Sequence, residues 1–177
     1  SPIIVDPKYS QFLKEYGVCA ANALSSDEDH KVYLAIRNLS DLKENPQATS
    51  NQIQEANDYL SSCIDKITFI SEASYLARLN WWTVEYGLVG EVKNPKIYGA
   101  GLLSSISESY NAIFKNVNKV PLSIDCINYS YDITEQQPQL FVAKDFDHLI
   151  EVLNQFKGKM AFTNGGLKSV KEAIKCK

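Results

Sequence analysis

The sequence is poor in the residues and patterns that mark several classes of protein. Its 177 residues include two histidines and one methionine, and no apolar run approaches the ~20 residues that span a bilayer. The four cysteines form no close pair, whereas zinc ribbons and redox motifs need close pairs, so ordinary reduced thiols are expected. Because no basic and apolar leader opens the chain, we expect a cytoplasmic protein that does not contact membranes.

The sequence also lacks a surplus of positive charge. It has 18 lysines and arginines against 21 acids, which gives a net charge of −3. Nucleic-acid binding needs basic residues gathered on one face, so no nucleic-acid partner is expected. The 45% hydrophobic and 22% charged fractions are ordinary for a globular protein, and the length predicts a single domain over residues 1–177.

Apolar residues at helical spacing dominate the chain. The longest stripe runs from 51 to 88 in steps of three and four residues, with a bend expected at the β-branched cluster 67–70. The polar run 25–29 offers N-cap residues for an earlier helix. Asp145 is expected to cap an amphipathic helix that follows it.

Short strands interrupt this helical pattern. Residues 123–131 and 139–143 are rich in β-branched and aromatic side chains, which predicts a strand in each. The predicted fold class is therefore mainly α with a few short β-strands, an α+β arrangement.

Glu85 is the sharpest candidate for chemistry. At 100° per residue it lies close to Trp81, on the edge of the apolar stripe. Burying an ionised carboxylate without a partner is costly, so a partner is expected. Arg78, two turns earlier on nearly the same side, would make a structural ion pair. Alternatively, Glu85 is a metal ligand or general base in a pocket walled by Trp81 and Trp82, and the pattern leaves both interpretations open.

The glycine-rich run 99–105 and the two histidines are weaker signals. The run lacks a third glycine and a following lysine, which favours a tight turn beside a small ligand over a nucleotide-binding loop. His30 lies in an acidic run and His148 lies beside Asp147, so surface positions are expected for both. With so few histidines, no complete metal site can be assembled within this chain.

Three ordered segments resemble the pterin-dependent aromatic amino acid hydroxylases, of the phenylalanine 4-monooxygenase type. They are residues 78–88 (RLNWWTVEYGL), residues 97–105 (IYGAGLLSS), and Tyr131 with residues 134–138 (TEQQP). The resemblance covers about residues 75–156. It implies that the chain is the C-terminal part of the hydroxylase catalytic domain.

The resemblance further implies a mononuclear iron held by two histidines and one carboxylate, a set typical of iron oxygenases. Glu85 matches that carboxylate, and both histidines are expected upstream of Ser1. The complete protein is then expected to use Fe(II), tetrahydropterin and O₂ to hydroxylate an aromatic amino acid, phenylalanine first. This chain alone is expected to bind neither cofactor and to be inactive. A long insertion is expected at about residues 22–71.

Other roles are implied residue by residue. The resemblance assigns substrate contacts to Trp81, Tyr86, Gly101 and Ser104, pterin contacts to Ala77 and Asn80, and positions at or behind the site rim to Tyr131 and Glu108. Tyr86 stands where phenylalanine is common, and Asn80 stands where tyrosine is usual. Glu108 also fits an exposed helix acid.

A second hypothesis comes from a different class of function. The chain would be a catalytically dead fragment or relative that acts as a small-ligand binding or regulatory module, with the pocket around Trp81 holding an aromatic ligand without turnover. In either case a severed half-domain exposes apolar surface. We therefore expect self-association through the surface that the missing segment would cover.

Overall fold

The computed structural model describes residues 2–114, 117–131 and 135–165. The chain forms two compact units. One unit is the segment Leu24–Ser74, and the other contains the residues before and after that segment. Cys176 and Thr134, which the sequence analysis included among the thiols and the third motif, lie outside the described residues.

Helices make up most of the described chain. The α-helices are α1 (Pro7–Asn22), α2 (Asp27–Glu44), α3 (Ser50–Asp65), α4 (Glu72–Asn80), α5 (Ala100–Ser104), α6 (Ile106–Phe114) and α7 (Phe146–Lys157). The strands are β1 (Leu88–Glu91), β2 (Asn94–Ile97), β3 (Asn118–Pro121) and β4 (Gln139–Ala143). Two 3₁₀ helices cover Pro2–Val5 and Ile124–Asn128, and a π turn covers Trp81–Glu85. None of the described helices combines the length and the hydrophobicity needed to cross a membrane.

The segment Leu24–Ser74 is built around two capped helices. Ser26 and Asp29 form a reciprocal capping box at the start of α2, and Thr49 and Gln52 form another at the start of α3. Each box satisfies backbone donors that a helix start leaves unpaired. The buried side chains of the pair are small or medium in size: Ala35, Leu39, Ala56 and Cys63.

The four strands form one sheet in the order β2-β1-β4-β3. Strand β2 pairs antiparallel with β1, whereas β4 is parallel to both of its neighbours. Strand β4 is the one that is buried along nearly its whole length, because parallel central strands are covered on both faces.

Alternation along β4 connects two hydrophobic clusters. Phe141 and Ala143 belong to a cluster that includes side chains of α1, α7 and Trp82. Leu140 and Val142 belong to a second cluster with Leu88, Leu102 and Ala112. Because successive strand residues point to opposite faces, one short strand anchors α1 and α7 on one side and α5 and α6 on the other.

Most of the predicted elements are confirmed, and the fold is mainly α with a small sheet. The predicted helix over 51–88 is divided, because α3 ends at Asp65 and α4 begins at Glu72. Asp145 caps α7 by accepting a hydrogen bond from the His148 N–H at 2.8 Å.

One strand prediction is wrong. Residues 123–131 contain a 3₁₀ helix at Ile124–Asn128 in place of a strand. The Ser123 hydroxyl accepts a hydrogen bond from the Asp125 N–H and starts the turn. A local side-chain cap therefore overrides the β-branched composition at this position. The prediction of a strand at 139–143 is confirmed as β4.

Candidate functional site

The candidate site is centred on the π turn that extends α4. The Tyr86 N–H donates to the Trp81 carbonyl oxygen at 2.8 Å, which is the i to i+5 pairing of a π turn. The Thr83 hydroxyl donates to the Leu79 carbonyl oxygen at 2.6 Å and satisfies an acceptor where the helical ladder changes. Such turns are frequent at functional sites. The extra residue per turn also changes the direction of Glu85 from the one that α-helical geometry predicts.

Two glycines allow the backbone of residues 99–101 to approach Glu85 closely. The N–H groups of Tyr98 and Gly99 both donate to the Gly87 carbonyl oxygen, at 3.3 and 3.0 Å. A Cβ atom on Gly99 would overlap the Glu85 carbonyl oxygen. A Cβ atom on Gly101 would lie 3.3 Å from Glu85 Oε2 and 3.0 Å from Tyr86 Cε2. The half-buried Glu85 carboxylate therefore lies directly beside the first turn of α5.

Trp81 lies between two tyrosine rings. The Tyr131 ring stacks on the indole with 4.3 Å between centroids and 9° between planes, and the Tyr86 ring stacks at 4.6 Å and 26°. The indole N–H donates to Gln137 Oε1 at 3.2 Å. Both faces and the polar edge of Trp81 thus have partners within the chain. Gln137 belongs to the third motif, but the sequence reasoning assigned it no role.

The interpretation of Glu85 as half of an ion pair with Arg78 is not supported. Arg78 Nη1 donates to the Ile127 carbonyl oxygen at 3.1 Å, and the guanidinium lies over the Tyr75 ring. Within the described residues, no ion pair joins Arg78 to Glu85. Trp82 is fully buried and donates from its indole to the Tyr129 carbonyl oxygen at 2.9 Å. It is a core residue and not a pocket wall.

The electrostatics of the site keep its phenols protonated. Burial raises the pKa of Tyr86, and the charges of Glu108 and Glu85 raise it further. Burial also raises the pKa of Tyr131, against a smaller lowering by Arg78. Partial burial raises the pKa of the Glu108 carboxyl above its ordinary value. Both tyrosine hydroxyls are therefore hydrogen-bond donors near neutral pH.

Glu108 and Tyr86 share a polar cavity of about 480 Å³. It is lined by Tyr86, Ser105, Ser107, Glu108, Asn111, Glu135 and Gln136. Glu108 is half-buried here and is not a fully exposed helix acid. Ser104 is exposed and donates to the Gly101 carbonyl oxygen at 3.0 Å. It borders a separate open hollow of about 780 Å³.

The two residues assigned to pterin binding lie on α4, before the π turn. Ala77 is exposed, and Asn80 is half-buried at the last position of the helix. Ala77 precedes Trp81 by four residues, which places the two on neighbouring parts of one helix face. The structure thus gathers Glu85, Trp81, Tyr86, Gly101 and Tyr131 in one place, with Ala77 and Asn80 adjacent along the chain.

The histidines do not complete a metal centre. Among residues 2–114, 117–131 and 135–165, no group of three or more His, Cys, Asp or Glu side chains is placed to hold a metal ion. The His148 Nδ1 accepts a hydrogen bond from the Lys144 N–H at 3.1 Å, within the start of α7. His30 lies in the other unit, against the ring of Tyr33.

Curated proteins with similar sequences include several phenylalanine-4-hydroxylases. The protein of Dictyostelium discoideum is 28% identical over 156 residues, which is 88% of this chain and 25% of that protein. The protein of Vibrio cholerae is 42% identical over 83 residues, which is 46% of this chain and 29% of that protein. The chain therefore matches between 18% and 29% of the length of such curated relatives.

The fold is also found among solved structures. A variant of phenylalanine hydroxylase from Chromobacterium violaceum matches with a TM-score of 0.54 and 22% identity, over 96% of this chain and 45% of that chain. The family model for biopterin-dependent aromatic amino acid hydroxylases matches residues 69–163, which is more than half of the sequence and includes the whole π turn. The chain belongs to the family of biopterin-dependent aromatic amino acid hydroxylases.

Proposed function

We propose that this chain supplies the carboxylate side of an iron- and tetrahydropterin-dependent site that hydroxylates an aromatic amino acid, with phenylalanine as the first candidate. The observation that supports this proposal most directly is the placement of Glu85 on a π turn, beside Gly101 and next to Tyr86, whose ring stacks on Trp81. The match to the hydroxylase family over residues 69–163 supports this interpretation because it contains all of these residues.

The described residues do not by themselves fit an iron ion. A non-haem iron of this kind needs two imidazoles and a carboxylate, and in the described part of the chain Glu85 belongs to no group of three ligating side chains. We infer that Glu85 is one ligand and that two imidazoles come from polypeptide outside these 177 residues. The 177 residues alone would then bind neither Fe(II) nor tetrahydropterin and would be inactive.

The aromatic stack supports a role in binding the substrate ring. A substrate ring can replace one that already covers Trp81, because the new stacking contact substitutes for the old one. Tyr86 is confined between Trp81 and Gly101, whereas Tyr131 is 36% exposed. We therefore infer that the substrate takes the place of Tyr131.

The remaining assignments follow from position along α4 and α5. Gly101 lies beside Glu85 and Ser104 donates to the Gly101 carbonyl oxygen, so this turn would lie near the main chain of a bound amino acid. Ala77 and Asn80 precede the π turn and would face the pterin. Tyr86 and Glu108 line the same polar cavity. Because Tyr86 places a hydroxyl where phenylalanine is common in the family, the substrate preference is open, and tyrosine and tryptophan are the substrates to compare with phenylalanine.

We also infer that residues of about 22–71 are an insertion within the hydroxylase domain. The family match begins at residue 69, after most of this segment. The segment Leu24–Ser74 forms a compact unit with its own capping boxes and its own small core.

A product assay tests the proposed activity. The 177-residue chain and a longer polypeptide that adds a His-(Asp/Glu)-x-x-Gly-His motif are each given Fe(II), tetrahydropterin, O₂ and one aromatic amino acid. We expect hydroxylated product from the longer polypeptide only, and its loss in Glu85→Gln. Glu91→Gln, which changes an exposed acid on β1, is the matched control and should leave the product unchanged.

The same assay separates the alternative of a binding or regulatory module. Product formed by the 177 residues alone would contradict the proposed division of ligands. If the longer polypeptide binds phenylalanine, with loss of binding in Trp81→Ala, but forms no product with any of the three amino acids, the binding-module hypothesis replaces catalysis.

A further inference from the structure

The side-chain amide of Gln137 is buried at the polar edge of Trp81. Gln137 is 3% exposed, although it lies outside the helices and strands. Its Oε1 accepts the hydrogen bond of the Trp81 indole at 3.2 Å, and its Nε2 donates to the Glu135 carbonyl oxygen at 2.8 Å. An amide that is withdrawn from water in this way depends on the protein groups that it contacts.

The two contacts fix the orientation of the amide. An indole N–H can only donate and a main-chain carbonyl can only accept, so the amide oxygen must face Trp81 and the amide nitrogen must face Glu135. Rotating the amide by half a turn would oppose donor to donor and acceptor to acceptor. The Gln137 side chain therefore presents a fixed acceptor to the indole.

The main chain of Gln137 is also restrained. The ring of Pro138 limits the conformations of the residue that precedes it. Strand β4 then begins at Gln139 and is buried along nearly its whole length. The acceptor for Trp81 is thus attached to the central part of the sheet, and it provides a rigid reference point for the orientation of the indole ring.

The two tryptophans differ in how their indole N–H groups are held. Trp82 donates to the main-chain carbonyl oxygen of Tyr129 at 2.9 Å, an acceptor that does not depend on the side chain at that position. Trp81 donates to a side chain, so its acceptor depends on the residue type at position 137. A substitution of Gln137 is therefore expected to alter the hydrogen bond of Trp81 and to leave that of Trp82 in place.

The hydrogen bond to Gln137 matters most when the aromatic stack opens. The Tyr131 ring lies 4.3 Å from the Trp81 indole between centroids, and the Tyr86 ring lies at 4.6 Å. When a substrate ring replaces Tyr131, one stacking contact is exchanged, while the bond from the indole edge to Gln137 is retained. The edge contact then keeps the indole plane in the orientation that receives the incoming ring, and such pre-organisation lowers the cost of binding.

We propose that Gln137 is a positioning residue of the candidate site, whose buried amide holds the Trp81 indole in the orientation on which the ring of an aromatic amino acid stacks. This inference rests on the proposed function, because it takes Trp81 as the surface that receives the substrate ring. Gln137 acts through Trp81 and does not itself contact the substrate.

Nuclear magnetic resonance of the 177-residue chain with isotope-labelled tryptophan tests the positioning step without metal, pterin or substrate. The two indole N–H signals are assigned with Trp81→Phe, which removes one of them. In Gln137→Leu, which has no acceptor, we expect the Trp81 signal to shift and its exchange with solvent to become about five-fold faster, the factor that one net hydrogen bond contributes. The Trp82 signal should stay in place. Gln137→Glu, which keeps an acceptor oxygen, should return the exchange toward its original rate.

Calorimetric binding of phenylalanine, tyrosine and tryptophan to the longer polypeptide with the histidine motif tests the consequence for the site. For the amino acid that binds most tightly, we expect a Kd about five-fold higher in Gln137→Leu and recovery in Gln137→Glu. Gln155→Leu, at an exposed glutamine of α7, is the matched control and should bind as before. Because binding is measured without turnover, a lack of product would contradict the proposed activity and not this inference.

Four results would overturn the proposal. They are an unchanged Trp81 signal in Gln137→Leu, equal shifts of both tryptophan signals, binding in Gln137→Leu as tight as in the unaltered polypeptide, or binding of none of the three amino acids. Far-ultraviolet circular dichroism checks that each variant folds. Gln137→Met, whose sulfur is a weak acceptor, takes the place of Gln137→Leu if that variant does not fold.

Discussion

The helix pair in Leu24–Ser74 and the unit that holds the candidate site are stabilised in different ways. In the pair, the buried side chains are small or medium, and the best-defined contacts are capping boxes between residues three apart. In the site unit, Trp82 packs on Phe141 with 5.4 Å between ring centroids, and its indole N–H reaches the carbonyl of Tyr129. Capping boxes fix the helix starts of the first unit, whereas packing of large aromatic side chains from distant parts of the chain organises the second.

This difference predicts which part of the molecule a given substitution destabilises. Removing a cap affects one helix end, whereas removing a side chain that joins the π turn to β4 alters the site. The two tryptophans both lie in the site unit, so their fluorescence reports on that unit, while far-ultraviolet circular dichroism reports helices of both.

The largest expected effect is that of Trp82→Ala. Trp82 is fully buried, and deleting such a side chain costs about 3–5 kcal/mol of the free energy of unfolding, through lost transfer energy and the cavity left behind. Urea unfolding followed by the fluorescence of Trp81 measures it. The control is Tyr59→Ala at an exposed position of α3. If the free energy of unfolding falls no further in Trp82→Ala than in Tyr59→Ala, the site unit does not depend on this buried side chain and the comparison between the two units fails.

Two glycine substitutions compare a crowded and an uncrowded position within the site unit. In Gly101→Ala the added Cβ meets Tyr86 Cε2 at 3.0 Å and Glu85 Oε2 at 3.3 Å, so we expect a loss of about 1–3 kcal/mol from crowding. In Gly17→Ala the added Cβ meets nothing within 4 Å inside α1, so we expect a gain of about 1 kcal/mol. Thermal unfolding of both variants measures these opposite signs. Equal effects would show that the space beside Glu85 is not restricted.

A smaller effect is expected from Ser26→Ala in the helix pair. The Ser26 hydroxyl accepts from the Asp29 N–H at 3.0 Å, and the loss of such a cap costs about 1 kcal/mol. Circular dichroism at 222 nm should register the change, while tryptophan fluorescence stays unchanged. If the fluorescence transition shifts by as much as it does in Trp82→Ala, the two units are not stabilised separately.

The smallest expected effect is a pH dependence of the stability that the Asp29 carboxylate gives to the same capping box. Partial burial alone would raise the pKa of Asp29, but hydrogen bonds from the Ser26 N–H and from the Ser71 and Ser74 hydroxyls hold it below its usual value of 3.8. The stabilisation is therefore complete above pH 3.8 and is lost as the pH falls through the lowered pKa. Acid titration of helicity should show this loss, and Asp29→Asn should flatten it. An unchanged titration curve in that variant would exclude the capping carboxylate as its source.

Sequence patterns predict the locally determined features well. The polar run 25–29 contains the cap of α2, Asp145 caps α7, and residues 139–143 form β4. The failures occur where distant contacts or a single cap decide. The turn started by Ser123 replaces a predicted strand, because one hydroxyl can redirect a short segment.

Sequence patterns indicate candidate site residues, several of which lie close together in the structure, but they do not predict the geometry of the site. The position of Glu85 on an apolar stripe makes it a candidate, yet helical spacing of 100° per residue cannot anticipate a π turn. The stack of Tyr131 on Trp81 joins residues 50 positions apart, and no local pattern encodes it. Its only sequence signal was the ordered resemblance of the separate motifs.

The most direct test of the central claim is an anaerobic titration with Fe(II) of a longer polypeptide that contains these residues and the histidine motif. The account predicts tight binding of one Fe(II) per chain, loss of that binding in Glu85→Gln, and unchanged binding in Glu91→Gln. Binding in Glu85→Gln as tight as in the unaltered polypeptide would contradict the assignment of Glu85 as the carboxylate ligand.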